Sequence, residues 1–353
     1  HVTLRTVRRF LWLGLRRIPG PIYPHRGLLM TSIVRIHQTG GPEVLQFESS
    51  TIGDPGPGEV RLEQQAIGLN FIDVYHRTGL YPVPGLPAVI GMEGAGIVDA
   101  VGPDVSGLKY GDRVAYAGIL GGYAERRLIP ADRLVKLPDE VSFEQAAAMM
   151  LQGMTVQYLI RRTYRVKKGD TVLLHAAAGG VGLIACQWLR QIGATVIGTV
   201  GSEQKAQLAQ AHGCHHTINY RQEDFTQRVR ELTGGEGVPV VYDSIGKDTF
   251  MGSLDCLAPL GVMVSFGNAS GPVSPFDPGI LAQKGSLFLT RPVLMTYIAK
   301  REDLLATARE LFLAVTSGAV HIEVNQRYPL KDVAQAHRDL EARNTTGSSI
   351  LLP

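Results

Sequence analysis

Cysteine is scarce in this chain of 353 residues: only Cys186, Cys214 and Cys256 occur, far apart in sequence. That spacing builds neither a disulfide framework nor a cysteine metal knuckle, and a reducing, cytoplasmic compartment is the simplest setting. Long hydrophobic runs are missing as well, so no segment reads as a membrane span. Acid is absent from the beginning, where residues 1–29 carry six arginines and the first carboxylate of the chain is Glu43. Setting those six charges aside turns the formal net charge of +3 into −3. The body is therefore mildly acidic, without the basic stripe or stacking aromatics that a nucleic-acid partner requires. Residues 1–29 are expected to stand outside the fold as an upstream extension, with an organellar targeting segment or a functional arm as the alternatives. Globular patterning begins after Met30, at "TSIVRIHQTGGPEVL".

The remaining chain is long enough for two domains of ordinary size, and its 44% hydrophobic content supports substantial cores. Up to about residue 150 the segments "EVRLEQQAIGLN", "GAGIVDAVG", "GDRVAYAG" and "RLVKLP" read as strands between turn residues. At "PDEVSFEQAAAMM" the texture changes, because Ser142 followed by Gln145 is a capping-box start for an Ala-rich helix. Strand-like runs then recur at 171–176, 194–200, 216–220, 238–244, 261–267 and 286–290, with helical stretches such as "GLIACQWLRQIG" and "SEQKAQLAQAHG" between the first of them. That periodicity predicts an α/β fold with a parallel, doubly wound six-stranded sheet. The tail, helical at "REDLLATARELFLAVTSG" and "KDVAQAHRDLEAR" and strand-like at "VHIEVNQRY" and "SSILLP", is expected to rejoin the first part. The expected division is 30–151 with 296–353 for a β-rich domain, and 152–295 for the sheet domain.

The stretch "LLHAAAGGVGLIACQW" has the layout of strand, glycine turn and helix. Gly179 and Gly180 let backbone amides approach a pyrophosphate, Gly182 lets the helix pack closely, and the helix beginning near Val181 points its amino end at the anion. Ala177, standing where the usual fingerprint has its first glycine, restricts the turn only slightly. The second strand ends "GTVGSEQK", with Gly201 and Ser202 where an acid would bind a ribose 2′-hydroxyl and repel a 2′-phosphate. Ser202 and Lys205 favour NADPH over NADH. Glu203 argues the other way, but as a first-turn residue it is expected to face solvent and complement the helix dipole.

These motifs, with "GGPEVL", "AIGLNFIDVYHRTGLYP", "GMEGAGIVDAVG", "INYRQEDF", "VVYDSIG", "MVSFGN", "QKGSLFLTRP" and "YPLKD", resemble the quinone oxidoreductase branch of the medium-chain dehydrogenase/reductase family over residues 31–353. The resemblance implies a GroES-like, β-rich catalytic domain, a Rossmann domain between its two parts, a cleft for NADPH and a homodimer. Zinc-dependent relatives draw ligands from cysteines and from a Gly-His-Glu run, which here reads Gly91, Met92, Glu93. A thioether is a poor zinc ligand and no cysteine precedes Cys186, so no metal is expected. Without that electrophile an ordinary ketone is a poor substrate, whereas an electron-poor quinone needs chiefly to be positioned against the nicotinamide. NADPH-dependent reduction of quinones, by hydride or one-electron steps, is the implied activity.

Carried over position by position, Asn70, Phe71 and Tyr75 are expected beside the nicotinamide, and Tyr81 beside the substrate. Thr155 and Tyr158 correspond to residues that meet the cofactor from the connecting helix. Gly179, Gly180 and Val181 face the pyrophosphate, and Ser202, Lys205, Tyr220 and Arg343 surround the 2′-phosphate. Phe266, Gly267 and Asn268 end the fifth strand at the crevice edge; Leu289 and Arg291 follow along the sixth, Arg291 touching the cofactor or an anionic reduced quinone. Asp73 is the acid expected within the cleft, where it could relay a proton. His175 reads as a packed, hydrogen-bonded residue, and His215 and His216 as no metal ligands. Two other functions fit the same scaffold: reduction of activated C=C bonds, with Tyr75 or Tyr81 as proton donor, and a non-catalytic NADPH-binding structural or RNA-associated role.

Overall fold

A computed structural model describes residues 27–353. The expectation for residues 1–29 lies outside the described residues except at 27–29, and Leu29 already opens the first strand.

β1 (Leu29–Ile36) and β2 (Leu45–Ile52) form an antiparallel pair. β3 (Glu59–Leu69) leads into α1 (Phe71–Thr78), which ends at Gly79 in the left-handed conformation, φ 83°. β4 (Ala88–Val89) completes a small sheet in the order β2-β1-β4. β5 (Glu93–Val101), β6 (Arg113–Ala117), β7 (Arg126–Pro130) and β8 (Val135–Lys136) assemble a larger sheet around β3. β3 is buried over most of its length because both of its edges are paired, by β5 on one side and by β7 and the chain's last strand on the other.

The next element is α2 (Phe143–Tyr158). Ser142 Oγ accepts from Gln145 N and Gln145 Oε1 accepts from Ser142 N, each at 3.1 Å, which is the predicted capping box. Twelve of the sixteen residues of α2 are buried, as expected for a helix with apolar or small residues on every side. It packs on β3, β5 and β6 and also on the helix that follows the glycine turn. The expected division at residue 151 thus falls inside a helix that touches both sheets.

The second sheet alternates strand and helix: β9 (Thr171–Leu174), α3 (Gly180–Ile192), β10 (Thr195–Val200), α4 (Glu203–Ala211), β11 (His216–Asn219) and α5 (Phe225–Leu232). It continues through β12 (Val238–Asp243), α6 (Phe250–Asp255), β13 (Leu257–Ser265), α7 (Gly279–Gln283) and β14 (Phe288–Thr290). All six strands are parallel, in the order β11-β10-β9-β12-β13-β14. The order reverses between β9 and β12, and a doubly wound sheet opens its binding crevice there, beyond the carboxyl ends of the strands. α8 (Leu294–Tyr297) and α9 (Arg301–Thr316) follow, and then β15 (Val324–Pro329), α10 (Val333–Glu341) and β16 (Ser348–Leu352). β16 pairs antiparallel with β3 and carries β15 beside it, so the tail returns to the first sheet.

The turn between β9 and α3 distributes its glycines differently from the sequence reading. A Cβ on Gly182 would stand 2.3 Å from Ala176 O, so Gly182 does permit close packing of α3 on its strand. A Cβ on Gly180 would stand 2.1 Å from Gln152 Oε1, which ties Gly180 to α2, whereas at Gly179 the nearest atom is Ala176 O at 3.4 Å. The left-handed residue is Ala176, φ 53°, and not Ala177. Ala177 is fully buried, and its methyl lies where a Cβ on Gly198 of β10 would collide with it at 2.5 Å. The turn therefore keeps an alanine because the neighbouring strand supplies the glycine. Gly182→Ala is expected to lower the melting temperature by several degrees in a thermal denaturation series, and Gly179→Ala to leave it nearly unchanged.

Candidate active site

A cleft of about 460 Å³ runs between the two sheets along the carboxyl ends of the parallel strands. Its walls contain Asn70, Phe71, Tyr75 and Tyr81 from the first part of the chain, Thr155 and Tyr158 from α2, and Gly179, Gly180 and Val181 from the glycine turn. Lys205, Tyr220, Phe266, Gly267, Arg291 and Arg343 stand on the wall as well, whereas Ser202 does not. Ser202 is the residue just before α4, its Oγ accepting from Lys205 N at 3.2 Å.

At one end the cleft is cationic. Lys205 Nζ donates to Arg343 O at 2.7 Å, and Arg343 Nη1 donates to the Tyr220 hydroxyl at 2.9 Å. The Tyr220 hydroxyl in turn lies over Gly201, where a Cβ would meet it at 2.7 Å. Burial lowers the Lys205 pKa; Tyr220 opposes the shift, and the neighbouring cations Arg221 and Arg343 add to it. Neither Lys205 nor Arg343 has an acidic partner among the described residues, and Glu203 is exposed on the first turn of α4. Because Ser202 caps the helix as an acceptor, its own hydroxyl proton remains free. The arrangement is a built site for an anion: two cations, two hydroxyls and a helix amino end without a counter-charge.

Elsewhere the cleft is aromatic. The rings of Tyr75 and Tyr81 lie 5.0 Å apart and those of Phe71 and Tyr75 6.4 Å apart. Asn268 N donates to the Tyr75 hydroxyl at 2.9 Å, and Asn268 Nδ2 reaches the Tyr81 hydroxyl at 3.4 Å. Arg291 Nη2 also donates to Tyr81, so both tyrosines bridge the two sheets. Burial pushes the Tyr75 pKa up to about 12, with Asn268 N opposing it. Tyr158 is stacked on Tyr297 at 4.2 Å with the rings 9° from parallel.

Four expectations need correction. Asp73 is not on the cleft wall; it is fully buried behind α1, where Oδ2 accepts from Tyr123 OH at 2.7 Å and from Asn70 N at 3.0 Å. Asn268 is off the wall too, its backbone N and side-chain Nδ2 turned to the hydroxyls of Tyr75 and Tyr81. Leu289 points to the opposite face of the sheet, into a cluster with Val273 and Phe276. Asn70 lines the cleft, but its side-chain amide is engaged from behind: Nδ2 donates to Glu93 Oε1 at 2.8 Å and Oδ1 accepts from Gln152 Nε2 at 3.2 Å. His175 is buried between Thr199 Oγ1 at 2.9 Å and Ser253 Oγ at 2.8 Å, and burial lowers its pKa.

Sequence reasoning missed the groups that hold Asn70. Glu93 Oε2 accepts from Leu151 N at 2.7 Å, and Ser348 Oγ lies 2.6 Å from Gln152 Oε1 and 2.9 Å from Ala148 O. A lone glutamine in the apolar run "AAAMMLQGM" was the one signal available. Beyond Asp73, Tyr123 OH lies 2.9 Å from His337 Nε2, and Arg77 Nη1 donates to His337 Nδ1 at 2.9 Å. Burial, with Arg77 beside it, lowers the His337 pKa to about 3, so the ring is neutral.

The alcohol dehydrogenase GroES-like domain family matches residues 56–139, and the zinc-binding dehydrogenase family matches residues 180–307. A quinone oxidoreductase of Pseudomonas aeruginosa is 55% identical over 92% of this chain and 100% of its own length. The crystal structure of Escherichia coli quinone oxidoreductase complexed with NADPH is 53% identical, covers 91% of this chain and 100% of its own, and superposes with a TM-score of 0.90. The chain belongs to the quinone oxidoreductase family. A 2-haloacrylate reductase of Burkholderia is 48% identical over 90% of this chain and 98% of its own length.

The zinc in one family description finds no fitting donors here. Among the described residues no three His, Cys, Asp or Glu side chains come together as a ligand group. Met92 is a buried thioether, both Glu93 oxygens are hydrogen-bonded, and the three cysteines are buried on α3, in the α4–β11 turn and at the α6–β13 junction. NADPH fits better, since the cation site and the glycine turn face the same cleft.

Burial raises the Asp73 pKa to about 7 and the Glu93 pKa to about 8, against the hydrogen bonds each accepts. Both acids are neutral in the folded chain at pH values where the unfolded chain ionises them. Their contribution to stability is thus full below the ordinary carboxylate range and is lost as pH rises through about 7 for Asp73 and about 8 for Glu93. The urea midpoint is expected to fall between about pH 5 and pH 8, and Asp73→Asn to flatten that slope; an unchanged slope would contradict a neutral Asp73.

Proposed function

We propose that this chain reduces quinones with NADPH and without a metal. The observation that carries the reading is the acid-free cation site at the end of β10, facing the same cleft as the tyrosine wall. Ser202, Lys205, Tyr220 and Arg343 receive the 2′-phosphate. The amides of Gly179, Gly180 and Val181, at the amino end of α3, receive the pyrophosphate. Thr155 and Tyr158 from α2 and Phe266 and Gly267 from the end of β13 flank the nicotinamide half. NADPH, once bound, supplies the hydride. Phe71, Tyr75 and Tyr81 present flat apolar faces to an electron-poor ring, with Asn70 on the wall beside them. Arg291 lies where charge builds on the acceptor oxygens or against the cofactor, and solvent protons complete the hydroquinone.

A second reading, reduction of an activated C=C bond, is favoured by the 2-haloacrylate reductase relative. The Tyr75 hydroxyl accepts from Asn268 N and therefore keeps its own proton for a carbanion, although burial makes it a weak acid. With NADPH, 1,4-benzoquinone and 9,10-phenanthrenequinone are expected to turn over faster than a trans-2-enone; faster enone turnover would reverse the assignment.

The membership of β15 and β16 in the β3 sheet supports joining the tail from residue 296 to the first domain, with the six-stranded sheet inserted between its two parts. The three buried free cysteines agree with a cytoplasmic setting. A homodimer is supported by β14, the last strand of its sheet, an open edge on which Phe288 is 61% exposed. Light scattering after size exclusion is expected to give twice the chain mass for the wild type and the single mass for Phe288→Lys.

Lys205→Ala decides the cofactor. Loss of a charge-assisted hydrogen bond is expected to weaken NADPH by about 1.5–3 kcal/mol, roughly 10- to 150-fold, and to leave NADH nearly unchanged in paired titrations. Equal losses for both nucleotides would remove the proposed basis of selectivity.

A further inference from the structure

The hydrogen bonds behind Asn70 form one unbranched chain across the two halves of the molecule. It runs from Glu93 on β5 through Asn70 to Gln152 on α2 and Ser348 on β16, and ends at Ala148 O. Every side chain in it is at most 9% exposed. Glu93 is closely packed against β3: a Cβ on Gly68 would stand 2.1 Å from its Oε1.

Proton counting fixes the direction of such a chain. Ala148 O can only accept, and Ser348 has a single hydroxyl proton, yet Ser348 Oγ lies within hydrogen-bond distance of both Ala148 O (2.9 Å) and the Gln152 amide (2.6 Å). If the Gln152 oxygen faced Ser348, one of these two buried contacts would be two oxygens with no proton between them. A half-turn of the Gln152 amide removes the conflict, since its NH₂ then donates to Ser348 and the serine proton goes to Ala148 O. The Gln152 oxygen now faces Asn70, so Asn70 must offer its NH₂ there and its own oxygen to Glu93. Glu93 Oε1 is then left facing an acceptor and has to carry a proton, while Oε2 still accepts from Leu151 N.

We infer that Glu93 is a neutral carboxylic acid acting as a positioning residue: it donates to Asn70 and, with Gln152 and Ser348, holds the Asn70 amide in one of its two orientations at the cleft. No cation pairs with Glu93 among the described residues. The charge that reaches it is that of Asp73 on α1, which disfavours ionisation, and the Tyr116 hydroxyl on β6, its pKa raised by burial, brings no positive charge. Burial of an unpaired carboxylate is costly, and the acid form avoids that cost. The same chain reaches the glycine turn, because Gln152 occupies the space a Cβ on Gly180 would need. The functional half of this inference rests on the NADPH reading above; the protonation half does not.

Two measurements test it. In the infrared difference spectrum of wild type minus Glu93→Gln at pH 7, the expected result is loss of one carboxylic-acid carbonyl band; loss of a carboxylate band instead would overturn the inference. In kinetics, Glu93→Ala is expected to lower kcat with 1,4-benzoquinone at saturating NADPH by at least about tenfold, as for loss of a buried hydrogen-bonded group. Its affinity for 2′,5′-adenosine bisphosphate should stay at the wild-type value, which separates a misplaced Asn70 from a misfolded chain. Glu93→Gln should rescue most of the lost kcat, because its NH₂ donates to Asn70 while its oxygen accepts from Leu151 N. An ionised Glu93 predicts the reverse, with glutamine failing as badly as alanine. Either that outcome or an unchanged kcat in Glu93→Ala would overturn the positioning role. Failure of the wild type to bind 2′,5′-adenosine bisphosphate would instead count against the cofactor reading alone.

Discussion

Burial of α2 on every side is the constraint from which the geometry of the cleft follows. A helix in that position can carry only apolar or small side chains, apart from polar ones that find partners inside, because an unsatisfied buried amide costs about 1–3 kcal/mol. Its alanines and glycine let neighbours approach closely: a Cβ on Gly153 would stand 2.5 Å from a methyl of Leu311 on α9. Residues of both sheets and of α3, α8 and α9 pack on it in one continuous core. The two walls of the cleft are consequently two sides of one packed unit, and Thr155, Tyr158 and Gln152 are delivered to it by the same helix.

The two ends of the cleft use charge in opposite ways. At the end of β10 the chain leaves a half-buried Lys205 and an exposed Arg343 without acidic partners among the described residues, at the open end of the cleft, where hydration makes unpaired cations tolerable and an arriving phosphate displaces that water. Beneath Asn70 it does the reverse, burying Asp73 and Glu93 where burial drives both pKa values toward neutrality. A carboxylate on the wall beside a hydride donor and an electron-rich product would oppose the charge that builds there. Keeping both acids behind the wall and hydrogen-bonded makes them structural at neutral pH.

Much of this was legible in the sequence because it is local. Strand positions follow from alternating or continuous apolar residues between turn residues, and the start of α2 from the spacing of Ser142 and Gln145. Ser202 and Lys205 are one helical turn apart, so their proximity could be read directly, whereas Tyr220 and Arg343 joined them only through family resemblance. Asp73 was misplaced because α1 turns that face inward, toward Tyr123 and His337. Leu289 was misplaced because neighbouring residues of a strand point to opposite faces, and the face away from the cleft has an apolar cluster of its own. The support of Asn70 was beyond reach: its links to Glu93 and Gln152, and Gln152's to Ser348, span 23, 82 and 196 residues.

Those separations also explain why the chain returns to its first sheet at the end. Ser348 on β16 is the last side chain of the Asn70 support, and Gly347, just before it, bridges to Gly179 in the glycine turn. Gly347 takes φ 55°, and a Cβ there would meet Glu323 O at 2.8 Å, so this approach is open only to glycine. Arg343, at φ 60°, sits four residues earlier and reaches Tyr220 on the far side of the turn. A stretch of six residues, 343–348, thus touches the cation site, the phosphate turn and the amide support. Closing the first sheet with a strand from the end of the chain is what lets one segment set all three against each other.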